Sequence, residues 1–139
     1  CWKGKIKENS ISNKTLMSMD LFSTILEIAG SKSHAKTDGI SFVDELFNPN
    51  NDHINKRTLY FTRREGGTRY GGKTINALRK GKWKLIQNSP YESYELYNLI
   101  DDPLEKNNLI EIETAVYKEL NSLLMNRIQI GGKIPWQKK

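Results

Sequence analysis

From Arg63 to Lys73 the sequence runs Arg-Arg-Glu-Gly-Gly-Thr-Arg-Tyr-Gly-Gly-Lys. Four basic residues (Arg63, Arg64, Arg69 and Lys73) share eleven positions with four glycines and Tyr70. Glycine lets a backbone come close to a ligand and take positive φ. Arginine offers a planar fork that binds sulfate, phosphate or carboxylate oxygens in pairs. Together these types describe an anion site. They equally describe a hairpin loop that uses glycine to turn. The segment is not read as a phosphate-binding P-loop, because a P-loop must open a helix and the residues that follow alternate as a strand.

Other chemistry-bearing residues are sparse. Asp101 and Asp102 precede Pro103, a pattern that belongs to a turn far more often than to a metal site. Cys1 is terminal with no histidine near it, which makes it a poor nucleophile. His34 and His53 sit in polar stretches and read as solvated. One cysteine excludes a disulfide framework within the chain and a multi-cysteine zinc site. No nucleophile, base and orienting group come together in the sequence, so no catalytic residue and no metal ligand is assigned.

The charge is concentrated. The 139 residues carry 22 Lys and Arg against 16 Asp and Glu, a net +6. Nine of the basic residues lie between Arg57 and Lys84, with Glu65 the one acid among them. Such a segment concentrates and steers anions. Sulfated or phosphorylated sugars, nucleic acid and acidic protein surfaces all qualify, as does the plainer reading of lysines on the wet face of strands. The mean hydropathy is −0.66. Apolar stretches run only a few residues, far short of the roughly 20 that a spanning helix needs, so no membrane partner is expected.

The elements that must hold these residues follow from periodicity. Ser18–Ala29 reads as a helix, with Ser18 as N-cap, Asp20 in the first turn and Gly30 as the stop. A short helix is predicted over 41–47. Strands are expected at 58–63, 74–79, 82–87 and 94–99. Lys80-Gly81 marks a tight hairpin between the second and third. In the third, Trp83, Leu85 and Gln87 alternate with Lys82, Lys84 and Ile86. A long helix is expected over 111–129, stopped by Gly131-Gly132. Strands grouped between helices predict an α+β fold, a four-stranded antiparallel sheet packed against the long helix. The organisation expected is a connecting segment, 1–56, and a compact subdomain, 57–139.

Five stretches, in order, resemble the C-terminal part of sulfatases of the arylsulfatase and N-acetylgalactosamine-6-sulfatase type. Trp2-Lys3-Gly4-Lys5-Ile6 is similar to the family's Trp-Pro-Gly-Lys-Ile. Met19 to Gly30 resembles its Asp-Leu-Phe-Pro-Thr-Leu-Leu-Glu-Leu-Ala-Gly helix. Asp38-Gly39-Ile40-Ser41 is similar to Asp-Gly-Val-Ser. Arg79-Lys80-Gly81-Lys82-Trp83-Lys84-Leu85 resembles Arg-x-Gly-x-Trp-Lys-Leu. Glu95 to Leu99 and Asp102 to Leu109 resemble Glu-Leu-Tyr-Asn-Leu and Asp-Pro-x-Glu-x-x-Asn-Leu. Lys3 and Ser23 stand where the family often has proline.

The resemblance implies a smaller domain packed on a large catalytic domain of the same polypeptide, with loops at one sheet edge helping to select a sulfated saccharide or aryl sulfate. It points to Arg63, Arg64, Arg69, Tyr70 and Lys73, and less directly to Gln87 and Asn88. It also implies a formylglycine, made in a Cys/Ser-x-Pro-x-Arg motif, and a calcium ion. Neither that motif nor the calcium-binding pattern occurs in this sequence, so both are expected in the catalytic domain, none in this chain. The start at Cys1 is read as a cut from something longer, inactive alone. A periplasmic, extracellular or lysosomal setting goes with the family. The competing reading is an independent basic module for an acidic partner or nucleic acid. Nucleic acid is disfavoured, since Tyr70 alone is thin provision for base stacking.

Overall fold

The computed structural model describes residues 1–31, 37–48, 57–64 and 74–130. The elements run α1 (Asp20–Ile28), α2 (Val43–Phe47), β1 (Thr58–Arg64), β2 (Thr74–Lys80), β3 (Trp83–Gln87), β4 (Glu95–Asn98) and α3 (Thr114–Ile130). The fold is α+β, as the sequence predicts. The chain divides into two compact units, one whose described residues lie within Cys1–Lys56 and one spanning Arg57–Ile130.

In the second unit the strands pair in the order β1-β2-β3-β4, all antiparallel. A two-residue turn, Gly81-Lys82, joins Lys80 to its partner Trp83. Positive φ falls on Gly81 (+57°), where a side chain would be strained. Register puts Tyr60, Leu78, Leu85 and Leu96 in one row across the sheet. Leu78, Leu85 and Leu96 form the core with Leu120 and Leu124 of α3, each at most 1% exposed. Burying a leucine contributes about 1.5–3 kcal/mol, so this one row and one helix face hold the unit together.

The long helix begins at Thr114, three residues after the predicted Glu111. Leu109 explains the delay. Its carbonyl accepts from the amides of Ile112 and Glu113 at 3.0 and 2.8 Å, and its own amide donates to the Leu96 carbonyl at 2.8 Å. This turn ties the chain to β4 before the helix can start. The Asp101-Asp102-Pro103 segment is a turn. The Asp102 carboxylate accepts from the Lys106 and Asn107 amides, both at 2.7 Å, and Asp101 accepts from the Asn98 side-chain amide at 2.6 Å.

In the first unit, α1 is inverted relative to the usual amphipathic helix. Its buried residues are Asp20 and Thr24. Asp20 accepts from the amides of Met17 at 2.7 Å and Ile40 at 3.1 Å. The Thr24 hydroxyl donates to the Asp20 carbonyl at 2.7 Å and accepts from the Phe42 amide at 3.1 Å. Ser18 is not the N-cap. That position is Met19, with no side-chain bond, because Asp20 satisfies the approaching backbone from within the helix. Gly39 lies against Met19 so closely that a Cβ would come within 2.2 Å of the Met19 carbonyl oxygen. The apolar positions that announce the helix face outward: Leu21, Phe22, Ile25 and Ile28 are 51%, 52%, 62% and 42% exposed.

Candidate functional site

The sheet has two faces and two ends, and they separate the predicted site residues. Arg63 pairs with Ile75, and Asn76 with Gln87. Side chains alternate along a strand, so Arg63 and Ile75 lie on the face away from α3. Asn88 follows Gln87, the last residue of β3, one step past the Asn76–Gln87 pair at the same end of the sheet. Two strand spacings, about 10 Å, separate β1 from β3. Arg64, paired with Thr74, is the last residue of β1. These residues lie at the end of the sheet where β1 and β3 finish.

Arg63 is exposed and Asn88 half-buried. The Asn88 amide donates to Glu95 at 2.9 Å. Glu95 also accepts from the Tyr97 hydroxyl at 3.1 Å. That bond and burial hold the Tyr97 hydroxyl above the usual tyrosine pKa, burial contributing most. Arg69, Tyr70 and Lys73 lie outside the described residues.

Gln87 is placed elsewhere. It is 8% exposed and points to the α3 face. Its carbonyl oxygen accepts from the Asn76 amide at 3.0 Å, and its own amide donates to the Tyr94 hydroxyl at 2.7 Å. The Tyr60 hydroxyl extends this chain, donating to Asn76 Oδ1 at 2.8 Å. Three bonds cross the three gaps between four neighbouring segments of the sheet. Sequence reasoning missed this chain, because an isolated Asn or Gln reads as a side chain facing water. The alternation of Trp83, Leu85 and Gln87 was the available signal.

The basic segment is not one patch. Arg79 and Lys80 lie at the opposite end, about 14–17 Å from Ile75 along β2, with Lys82 in the turn beyond. There Lys80 pairs with Glu119, Arg79 donates to the Gly81 carbonyl at 3.2 Å, and Lys82 sits 5.1 Å from the Trp83 ring centre. Lys84 forms two bonds to Glu105, at 2.6 and 2.7 Å. These cations are engaged locally. Arg63 and Arg64, at the end of β1, immediately precede the glycine-rich segment in the sequence.

Gly67 to Thr74 does fit Gly-x4-Gly-Lys-Thr. Thr74, however, begins a strand, not a helix, so the helix N-terminus that a P-loop sets behind its phosphates is missing at this point. Asp101 and Asp102 each use a carboxylate oxygen to hold the turn.

Residues 1–131 match the family described as N-sulphoglucosamine sulphohydrolase, C-terminal. No curated protein matches the chain. Among solved structures, BT4656 in complex with its substrate D-glucosamine-2-N,6-O-disulfate is 26% identical, with a TM-score of 0.75 over 96% of this chain and 28% of that one. Ps i-CgsB is 20% identical, with a TM-score of 0.74 over 90% of this chain and 27% of its own. BT1596, a 2-O GAG sulfatase, is 23% identical, with a TM-score of 0.66 over 79% of this chain and 24% of its own. The last two likenesses speak to fold alone. The chain spans between 24% and 28% of the length of these relatives.

Proposed function

The chain belongs to the C-terminal domain family of the sulfatases, and from that premise we propose that it supports a sulfatase catalytic domain of the same polypeptide and helps select its sulfated substrate. Two roles are involved, docking and selection. Formylglycine and calcium belong to the catalytic domain, and this chain alone is inactive.

The observation that carries the docking role is the inverted helix α1. Leu21, Phe22, Ile25 and Ile28 leave a continuous apolar face at 42% exposure or more. Covering such a face stabilises an interface by roughly 25 cal/mol per Å² of apolar surface removed from water. The catalytic domain is its occupant in this reading, because solved relatives are more than three times as long as the part this chain matches.

Selection rests on charge and placement. A sulfate ester offers three outer oxygens and a negative charge, which suit an arginine fork. Arg63 and Arg64 close β1 at one end of the sheet, and the segment that follows them in sequence carries the cations Arg69 and Lys73 and the phenol of Tyr70. Asn88 follows β3 at the same end of the sheet. Gln87, turned to the other face, is not a contact in this reading. The substrate class favoured is a sulfated amino sugar, the kind bound by the 26%-identical relative.

The test compares the 139-residue chain with the complete polypeptide its gene encodes, using D-glucosamine-2-N,6-O-disulfate and an aryl sulfate as substrates. Turnover by the complete polypeptide and none by the chain alone is expected. Turnover by the chain alone, or no sulfate ester hydrolysed by the complete polypeptide, overturns the reading.

A further inference from the structure

Successive rows on the α3 face differ in kind. The row of Leu78, Leu85 and Leu96 is apolar and closed by the helix. The next row, toward the end that carries Arg63 and Asn88, is built from the amides of Asn76 and Gln87, 7% and 8% exposed. Leucine would fill the same space without needing partners. A buried amide is costly unless its bonds are made, and once made they hold a fixed geometry.

Here they run unbroken from Tyr60 through Asn76 and Gln87 to Tyr94. Both outer members are held against α3. Arg127 sits 5.7 Å from the Tyr60 ring centre, and the Tyr94 and Tyr117 rings lie 5.8 Å apart. Neighbouring residues on a strand face opposite sides. Asn76 is one residue from Ile75, and Gln87 one residue from Asn88. Whatever fixes the spacing of 76 and 87 therefore also acts on their chain neighbours, Ile75 with its partner Arg63 and Asn88 at the end of β3.

We propose that Asn76 and Gln87 are positioning residues. Their bond, anchored through Tyr60 and Tyr94 to α3, sets the spacing between Arg63 and Asn88 and thereby the affinity for a sulfated saccharide. The proposal deepens the selection reading above and rests on it.

The test uses the double variant Asn76→Leu/Gln87→Leu, in which neither amide is left without its partner, with Leu85→Val in the adjacent row as the control for core damage. In the 139-residue chain, the amides of Arg63, Arg64, Gln87 and Asn88 should exchange hydrogen about tenfold faster in the double variant and unchanged in Leu85→Val. In the complete polypeptide, KM for D-glucosamine-2-N,6-O-disulfate should rise about tenfold with kcat within about twofold, again without change in Leu85→Val. Unchanged exchange at these amides overturns the proposal whatever the enzyme does. Faster exchange with unchanged KM in an active enzyme also overturns it. Absence of any sulfatase activity in the unsubstituted polypeptide overturns the selection reading, and the affinity half of this proposal with it.

Discussion

The Asn76 side-chain amide donates to Gln87 Oε1 at 3.0 Å across the β2–β3 pair, within the buried face of the sheet. Breaking one side of this bond leaves a buried group without its partner, so the losses from the two sides should not add. Gln87→Leu leaves the Asn76 amide and the Tyr94 hydroxyl with a lost partner and should cost about 1–3 kcal/mol. The double variant with Asn76→Leu should cost less than the sum of the two single changes. Urea unfolding of the three variants measures this; strictly additive losses would show that the two amides do not act as a pair.

Gly39 should not tolerate a side chain. A Cβ there would meet the Met19 carbonyl oxygen at 2.2 Å, a backbone atom that cannot swing aside. Gly39→Ala should destabilise the unit that contains α1 by about 1–3 kcal/mol. Hydrogen exchange resolved by unit reads the result, with protection lost in Asp20–Ile28 and kept in the sheet.

Glu105 reaches Lys84 from a left-handed backbone, φ +54°. Removing its carboxylate loses a half-exposed ion pair, worth up to about 1 kcal/mol. Backbone strain then decides the order of replacements. Glu105→Gly should be more stable than Glu105→Ala by about 1 kcal/mol, the reverse of the usual ranking. Thermal melts of the two variants side by side settle the order.

Alkaline pH should weaken the sheet unit. Burial raises the Tyr94 hydroxyl above its ordinary value of 10.0, with Tyr117 adding to the effect and the Gln87 bond opposing it. Tyr97 is raised likewise. The folded state thus keeps these protons after the unfolded chain has lost them. Their contribution is complete below about pH 10 and is lost as pH rises through the folded values. Tm followed from pH 8 to 11, a window around the ordinary tyrosine pKa of about 10, should fall more gently in Tyr94→Phe than in the unsubstituted chain. Parallel curves would contradict the assignment.

Much of the fold is legible from the chain itself. Alternation at Trp83, Leu85 and Gln87 and the turn at Gly81 define the central hairpin, and the pattern from Val116 to Ile128 defines the covering helix. Three things are not legible, for physical reasons. The apolar pattern of α1 marks a helix but not its buried side, because Asp20 and Thr24 find partners at Ile40 and Phe42, distant in sequence. The basic run from Arg57 to Lys84 looks like one patch until the strands carry Arg63 and Arg64 to one end of the sheet and Arg79 and Lys80 to the other. The amide chain is invisible because only the pairing of β2 with β3 brings Asn76 beside Gln87, where the Tyr60 and Tyr94 hydroxyls reach them.

The most direct test of substrate selection is the Michaelis constant of Arg63→Ala/Arg69→Ala in the complete polypeptide, with D-glucosamine-2-N,6-O-disulfate as substrate. The account predicts a rise of about tenfold or more, near 1.4 kcal/mol, with kcat within about twofold and folding intact. An unchanged KM in a folded, active enzyme would contradict it.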